Sequence, residues 1–503
     1  MRFSPVLLAT AALAGCTVGP NYNGPPAVAA DAATRGSFVR ARDTTLVAAP
    51  GLARWWETLA DPILTVLVDD ALAHSPTIDE AAARIRSAQA QLTQQRASQL
   101  PSVSANATYF HAELPGVGIS QTATTDSSGS DTTTSGGSSS LDFYNLGLNA
   151  SWELDLFGGT RRRVEQTRAT IDARIADLAD VQVSLSAQVA QAYVNLRDVQ
   201  ARIRLNAAST ALQERQVALA QQRYKGGTAS LLDVDRLRSQ LESTQADAIP
   251  LGSQRDEYMN QLAVLTGRTP GALDATLTTV VAVPLPPAHV AIGDPAALIA
   301  NRPDVRSAER QLAASTAAVG VSKAKELPGI RFLGILGLGG TSPGDVFDTG
   351  NLTTLLAPSL SWSFLDFGKN RAATNATKAD RDGVDATYRR TVLSALQDAE
   401  NALSRFGNTR AQLGQLVRVE KTAMRSVALN GERVKAGTSS TGDQLDIERQ
   451  RLSALIATEQ ARAQLTLSYI AVNKALGLGW SLSAGSRSWG DQTSQKQIAP
   501  STF

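Results

Sequence analysis

Few side chains in this 503-residue chain are placed to do covalent chemistry. Its single cysteine, Cys16, ends the tetrad Leu13-Ala14-Gly15-Cys16 behind Arg2 and the apolar run Val6 to Leu13, the layout of a secretory signal whose cleavage site falls on a cysteine. One cysteine allows no intrachain disulfide, even in an oxidising compartment. His74, His111 and His289 are scattered with no metal-ligand spacing, and Trp55-Trp56 reads as packing rather than a ligand box. No Walker A loop, paired-histidine motif or nucleophile elbow occurs, so neither enzymatic activity, nor a metal, nor a cofactor is expected. The carboxylates are more suggestive. Asp443 and Asp446 stand three residues apart, on one helix face; Asp233, with Asp235 nearby, matches Asp443 at an internal offset of about 210 residues. An acid in a helix's first turn is also what the helix dipole favours, so both readings stay open.

That offset runs through the whole chain. Ser151-Trp152 and Phe157-Gly158 recur as Ser361-Trp362 and Phe367-Gly368, and Arg223-Tyr224-Lys225-Gly226-Gly227-Thr228 recurs as Arg433-Val434-Lys435-Ala436-Gly437-Thr438. Upstream, Pro76 and Leu100-Pro101 match Pro303 and Leu327-Pro328. The unit repeated is helix, hairpin and long helix pair. From Thr160 to Lys225 there is neither Gly nor Pro, a helix on the order of 100 Å, and such lengths imply coiled coil or helical barrel. Apolar positions such as Val181, Leu185, Val189, Ala192, Leu196 and Val199 recur at threes and fours. The chain returns through Leu231 to Ile249, with a bend expected at Pro250, and runs on to Thr266. The second copy runs from Lys369 to Lys435 and back from Asp443 to Leu476, its outward helix softened by Gly383, Gly407, Gly414 and Gly431.

Lys+Arg 48 against Asp+Glu 46 leaves no nucleic-acid footprint. Beyond the signal no apolar stretch is long enough for a transmembrane helix, so any span must be made of strands. Four segments alternate as such strands require. Tyr144, Leu146, Leu148, Ala150, Trp152 and Leu154 oppose Asn145, Gly147, Asn149, Ser151 and Glu153; Val103, Ala105, Ala107 and Tyr109 oppose Ser102, Ser104, Asn106 and Thr108. Leu356, Leu360, Trp362 and Phe364 oppose Ser359, Ser361 and Ser363, and Ile330 to Leu338 carries Phe332 and Leu336 on one face. A half-buried strand of a soluble sheet alternates in the same way. Four strands cannot close a barrel when the smallest use about eight, so protomers must pool them. The polar runs Ser120 to Ser140 and Gly340 to Gly350 read as solvated loops.

The tetrad resembles a bacterial lipobox, which implies acylation of Cys16; Thr17 after it, in place of Asp, favours the outer membrane. More broadly, Cys16-Thr17-Val18-Gly19-Pro20-Asn21-Tyr22, Trp55-Trp56 with Asp61-Pro62, Asn301-Arg302-Pro303-Asp304-Val305-Arg306 with Glu309, and Leu476-Gly477-Leu478-Gly479-Trp480 resemble the outer membrane factor family, in particular its lipid-anchored efflux subunits related to TolC. The resemblance implies a mixed α and β fold: a homotrimer whose four strands per protomer form a twelve-stranded transmembrane β-barrel, continued by a twelve-helix periplasmic α-barrel. Residues 1–15 would be the signal peptide and 16–60 a lipid-anchored N-terminal segment. The first repeat would span 61–267 (hairpin 101–157, helix pair 160–266), an equatorial linker 268–293, the second repeat 294–480 (hairpin 328–367, helix pair 369–476) and a tail 481–503.

The function implied is a passive outer-membrane exit duct for drugs, metals or other small toxic compounds, served by a periplasmic adaptor and a proton-driven inner-membrane pump and embedded in outer-membrane lipid. A type I protein-secretion channel is the alternative within the channel class; a lipid-anchored periplasmic coiled-coil scaffold would form no pore. In the family, inward-coiled helix pairs and acidic rings close the periplasmic end. Carried onto this chain, the gate falls on Asp443, Asp446 and Asp233, and the adaptor contacts on Gly226, Gly227, Thr228, Gly437 and Thr438. Rings of three carboxylates would favour cations in a narrow bore. The tyrosine and arginine that latch TolC-like tips are replaced here by Val434 and Ser439, with Tyr224 on the first tip and Arg433 and Lys435 as substitute partners.

Overall fold

The computed structural model describes residues 17–114 and 139–480. Cys16 with the signal before it, most of the Ser120 to Ser140 run, and the tail from 481 lie outside the described residues. In chain order the elements are helix α1 (Ala30–Arg35), strand β1 (Leu46–Val47), a 3-10 turn (Trp55–Leu59), α2 (Pro62–His74), α3 (Pro76–Ala97), β2 (Ser102–Leu114), β3 (Ser139–Leu154), α4 (Gly159–Lys225), α5 (Leu231–Leu265), α6 (Asp274–Leu277), β4 (Val290–Ala291), α7 (Pro295–Asn301), α8 (Pro303–Ala324), β5 (Gly329–Gly340), β6 (Leu352–Ser361), α9 (Lys369–Lys435) and α10 (Thr441–Ala475).

The duplication is carried by helix-ending chemistry. α4 and α9 have 67 residues each, and α5 and α10 have 35. All four stop on a glycine with positive φ: Gly227, Gly437, Gly267 and Gly477. At each, two backbone bonds close the last turn, as in Thr228 N to Arg223 O at 2.8 Å with Gly227 N to Tyr224 O at 3.0 Å, and Thr438 N to Arg433 O at 2.9 Å with Gly437 N to Val434 O at 3.0 Å. That pattern requires a left-handed residue, which glycine adopts without a Cβ clash. Each repeat also opens alike: Asp61 and Asp294 cap α2 and α7, each with proline at the first helical position, where its missing N–H costs nothing.

Two compact units result. One holds a four-stranded antiparallel sheet in the order β2-β3-β5-β6. Its register pairs Tyr109 with Tyr144, Ala107 with Leu146, Leu148 with Leu336, Trp152 with Phe332, and Ile330 with Leu360. The apolar sets of all four strands therefore share one face. The opposite face is mixed: it carries Ser104, Asn106, Asn145, Asn149 and the Glu153–Arg331 ion pair at 3.1 Å, together with Phe110, Phe143, Leu333, Ile335 and Leu355. Pro358 lies on β6, an edge strand within one copy, the place in a sheet where a proline's lost donor is tolerated. β6 stops at Ser361, so Trp362 and Phe364 lie beyond the strand on which the alternation places them. The chain turns there to enter α9, and Asp366 accepts from the Gly368 and Asn370 N–H groups, both at 2.9 Å. Trp362 Nε1 donates to the Glu326 carbonyl at 3.2 Å, as Trp152 Nε1 does to that of Gln99 at 3.0 Å. The loop between β5 and β6 holds two 3-10 turns, Pro343–Phe347 and Thr349–Asn351.

The other unit is helical. Its core gathers Trp55, Trp56, Leu64, Leu67, Val189, Tyr193, Leu196, Leu262, Phe406 and Ile470, all buried. Trp55 meets Trp56 edge-on at 5.8 Å and Tyr469 at 6.0 Å, so the tryptophan pair is packing. β1 pairs in parallel with β4, tying the N-terminal segment to the linker after the first repeat. Arg197, fully buried, donates through Nη1 to the Leu277 and Thr279 carbonyls of that linker at 3.2 and 2.6 Å. α5 passes through Pro250 without a break: Ala246, whose carbonyl loses its helical donor, is exposed to water. α9 is likewise continuous across its four glycines.

Candidate functional site at the helix tips

Each helix pair is joined by a five-residue turn, 226–230 and 436–440, that closes one helix and starts the next. Ser440 precedes α10 in extended geometry; its hydroxyl accepts from Asp443 N at 3.0 Å, while the Asp443 carboxylate accepts from Ser440 N at 3.1 Å and from its hydroxyl at 2.7 Å. Ser230 and Asp233 repeat the arrangement at 3.2, 3.1 and 2.7 Å. These reciprocal capping boxes satisfy donors that a helix start leaves open. They also hold both carboxyls below their usual range, the serine side-chain bond being the largest cause and the serine backbone N–H the next. Asp443 and Asp233 are thus first-turn acids at both tips, ionised at neutral pH.

Asp446 is different. One turn further along α10, it accepts from Gln216 Nε2 of α4 at 3.2 Å, a tie from the second helix pair to the first. A second cross-pair approach lies beside it: the Arg223 guanidinium sits so close to Gly442 that a Cβ there would stand 3.2 Å from Nη1, and its charge further lowers the Asp443 carboxyl. Within the second pair, Ser439 donates to Asn430 Oδ1 at 2.9 Å and Asn430 Nδ2 to Gln444 Oε1 at 2.8 Å. Lys435 spends its charge on Glu432 at 2.7 Å, and Asp235 pairs with Arg238 at 3.6 Å. Gly226, Gly227, Thr228, Gly437 and Thr438 form the exposed turns, and Tyr224 is half-exposed beside the first. Asp443 and Asp446 are thus brought together with Arg223 and Gln216; Asp233 is bound to its own serine.

The serine caps are legible as Ser-x-x-Asp before each return helix. Gln216 and Arg223 carry no local signal, because their partners lie 230 and about 220 residues away on the other helix pair.

At the junction of sheet and helix, the segment after Cys16 is held in place. Val18 N donates to the Phe157 carbonyl at 3.0 Å. The buried Arg162 donates to the Val18 and Gly19 carbonyls at 3.2 and 3.4 Å and to Asn21 Oδ1. Gly19 lies against Gly320 at a distance that admits no Cβ. Among the described residues, no helix is long and apolar enough to cross a membrane.

The sequence model of a family described as "Outer membrane efflux protein" matches residues 67–268 and 295–478, both repeats without the linker. Nodulation protein T of Rhizobium leguminosarum bv. trifolii is 29% identical over 470 residues, 93% of this chain and 95% of its own. Pyoverdine export outer membrane protein OpmQ of Pseudomonas aeruginosa is 30% identical over 440 residues, 86% of this chain and 88% of its own. The solved structure of the outer-membrane channel OprN superposes with a TM-score of 0.81 at 31% identity, covering 92% of this chain and all of that one. With the duplicated helix pairs, the four-stranded sheet and matches across nearly its whole length, the chain belongs to the outer membrane efflux protein family.

Proposed function

We propose that this outer-membrane efflux protein is the exit duct of a tripartite pump, assembled from three copies and passing small toxic compounds, drugs or metals, to the cell exterior. The observation that carries the reading is the sheet: one face carries the apolar sets of all four strands, broken by Thr354 of β6 and by the His111–Asp142 pair at one end, and among the described residues both edges, β2 and β6, are unpaired. Lipid does not tolerate open edges. Closing β6 of one copy on β2 of the next satisfies them, and three copies give twelve strands, with the four long helices of each copy supplying twelve more elements for a periplasmic tunnel. The chain supplies no energy source, so an adaptor meeting the tip turns Gly226-Gly227-Thr228 and Gly437-Thr438, and a proton-driven pump beneath it, complete the system. A lipid on Cys16 would enter the membrane beside the junction to which Arg162 holds residues 18–21.

The gate is assigned to the second tip. Asp443 and Asp446 in three copies make two carboxylate rings, and mutual repulsion within each must be opposed by ties to other helices. The Gln216–Asp446 bond and the Arg223 guanidinium at Gly442 serve as those ties where Val434 and Ser439 cannot. Asp233, engaged with Ser230, contributes charge at the mouth. The test is single-channel conductance of the purified oligomer in planar bilayers. Wild type is expected to conduct weakly, and Gln216→Ala and Asp446→Ala to raise open-state occupancy severalfold. A full-sized pore unchanged by either variant moves the gate elsewhere; no conductance from intact oligomer favours the scaffold reading.

A further inference from the structure

Among the described side chains on the apolar face of the sheet, ionisable groups other than tyrosine occur at one place. His111 of β2 and Asp142 of β3 stand directly opposite each other, one step beyond Tyr109 and Tyr144, whose rings stack at 4.9 Å. Asp142 Oδ1 accepts from the Tyr109 hydroxyl at 2.8 Å and from His111 Nδ1 at 2.8 Å. A carboxylate has no proton to give, so Nδ1 carries the hydrogen. The second ring nitrogen, Nε2, has no partner among the described residues, and the side chain is 45% exposed.

Depth along the strand identifies what that nitrogen meets. Tyr144 and Trp152 lie on the same face eight residues apart, about 27 Å of antiparallel strand and about 20 Å of height at the usual barrel tilt. Only Leu146, Leu148 and Ala150 lie between them on that face. The aromatic pairs thus bracket the hydrocarbon, with Trp152 stacked on Phe332 at 6.1 Å at the end that leads into the helices. His111 and Asp142 sit roughly 5 Å further out at the opposite end, at headgroup level.

We propose that His111, oriented by Asp142 and Tyr109, binds the phosphate of an anionic lipid in the outward-facing leaflet. The inference rests on the barrel reading. A protonated ring presents Nε2–H as a charge-assisted donor to a phosphate oxygen, and Asp142 fixes the ring while offsetting its charge. A metal ion fits less well: Nε2 would be its one ring ligand, Oδ1 already takes two donors, and among the described residues no group of three or more His, Cys, Asp or Glu side chains stands together to hold one.

The test is nitrogen–phosphorus dipolar recoupling by solid-state NMR on the full chain, labelled with 15N at its three histidines, in phosphatidylglycerol vesicles whose conductance is measured alongside. One ring nitrogen is expected to dephase against phosphorus, and the effect to vanish in His111→Gln and weaken in Asp142→Asn while conductance persists. Conducting vesicles without dephasing overturn the inference and leave the duct standing; vesicles that do not conduct overturn the duct. Dephasing that survives His111→Gln belongs to another histidine and contradicts the proposal. In phosphate-free galactolipid vesicles with added inorganic phosphate no dephasing is expected; its appearance would show that the site takes a free ion and not a lipid.

Discussion

Asp443 and Asp233 answer two demands with one carboxylate. Each closes a capping box with its serine, and each would add charge to the mouth of a pore. The cap makes the tips acid-sensitive in a defined direction. Both carboxyls are held below their usual value of 3.8 by the serine side-chain and backbone donors, so an opened tip binds protons before a closed one does. The stabilisation is complete above the ordinary carboxylate range and is lost as pH falls through the lowered values. Protection factors at residues 231–235 and 441–445, with intrinsic exchange divided out, are therefore expected to stay flat from neutral pH to about 4 and to fall below that. A fall already at pH 6 would mean that something other than these caps holds the turns. Arg197 makes a different demand. Its guanidinium is fully buried over the Tyr193 ring at 4.7 Å and supplies donors to the linker carbonyls. Arg197→Met retains most of the volume and leaves the Thr279 carbonyl without its side-chain donor, while Gln200 Nε2 still serves the Leu277 carbonyl at 2.7 Å, a loss of about 1–3 kcal/mol, to be read as a lower thermal midpoint together with protease cutting near 279. Unchanged stability would show that water replaces the guanidinium there.

At the scale of elements, glycine position decides the sign of an effect. Gly437 has φ +73 with nothing near its missing Cβ, so Gly437→Ala is expected to cost about 1 kcal/mol of local stability through backbone strain alone. Gly431, inside α9 and equally free of neighbours, is expected to gain about 0.5–1 kcal/mol on conversion to alanine. Opening free energies from hydrogen exchange at the second tip compare the two; shifts of the same sign would contradict the assignment of helix interior and helix end. The same punctuation made the elements readable in the sequence. Gly and Pro bracket α4 and α5, and the repeated turn fixes α9 and α10 by analogy, so those bounds fall within a few residues of expectation. Legibility failed where tertiary chemistry overrode pattern. Alternation carries Trp362 and Phe364 into β6, but a capping aspartate and an indole bond to Glu326 end the strand at Ser361. The Gln216–Asp446 tie was invisible because hydrophobic period and propensity are local, whereas that bond joins helices far apart in sequence.

For the molecule as a whole, the central claim is that several copies share one sheet. Family membership places the protein in the outer membrane, and the apolar face with its two open edges explains why a single copy cannot span it. Within one protomer, β2 and β6 lie three strand spacings apart in the order β2-β3-β5-β6, about 14 Å, while a disulfide needs Cα atoms within about 7 Å. A bond between cysteines on those two strands can therefore form only between copies. The measurement is oxidative cross-linking in native membranes of Leu356→Cys paired in turn with Val103→Cys, Ala105→Cys and Ala107→Cys, which scans the register on the apolar face. One pair is expected to give a ladder that ends at three copies, with that species still conducting. A ladder ending at two copies, or no intermolecular bond at any register in protein that remains in the outer membrane, would contradict the shared twelve-stranded barrel.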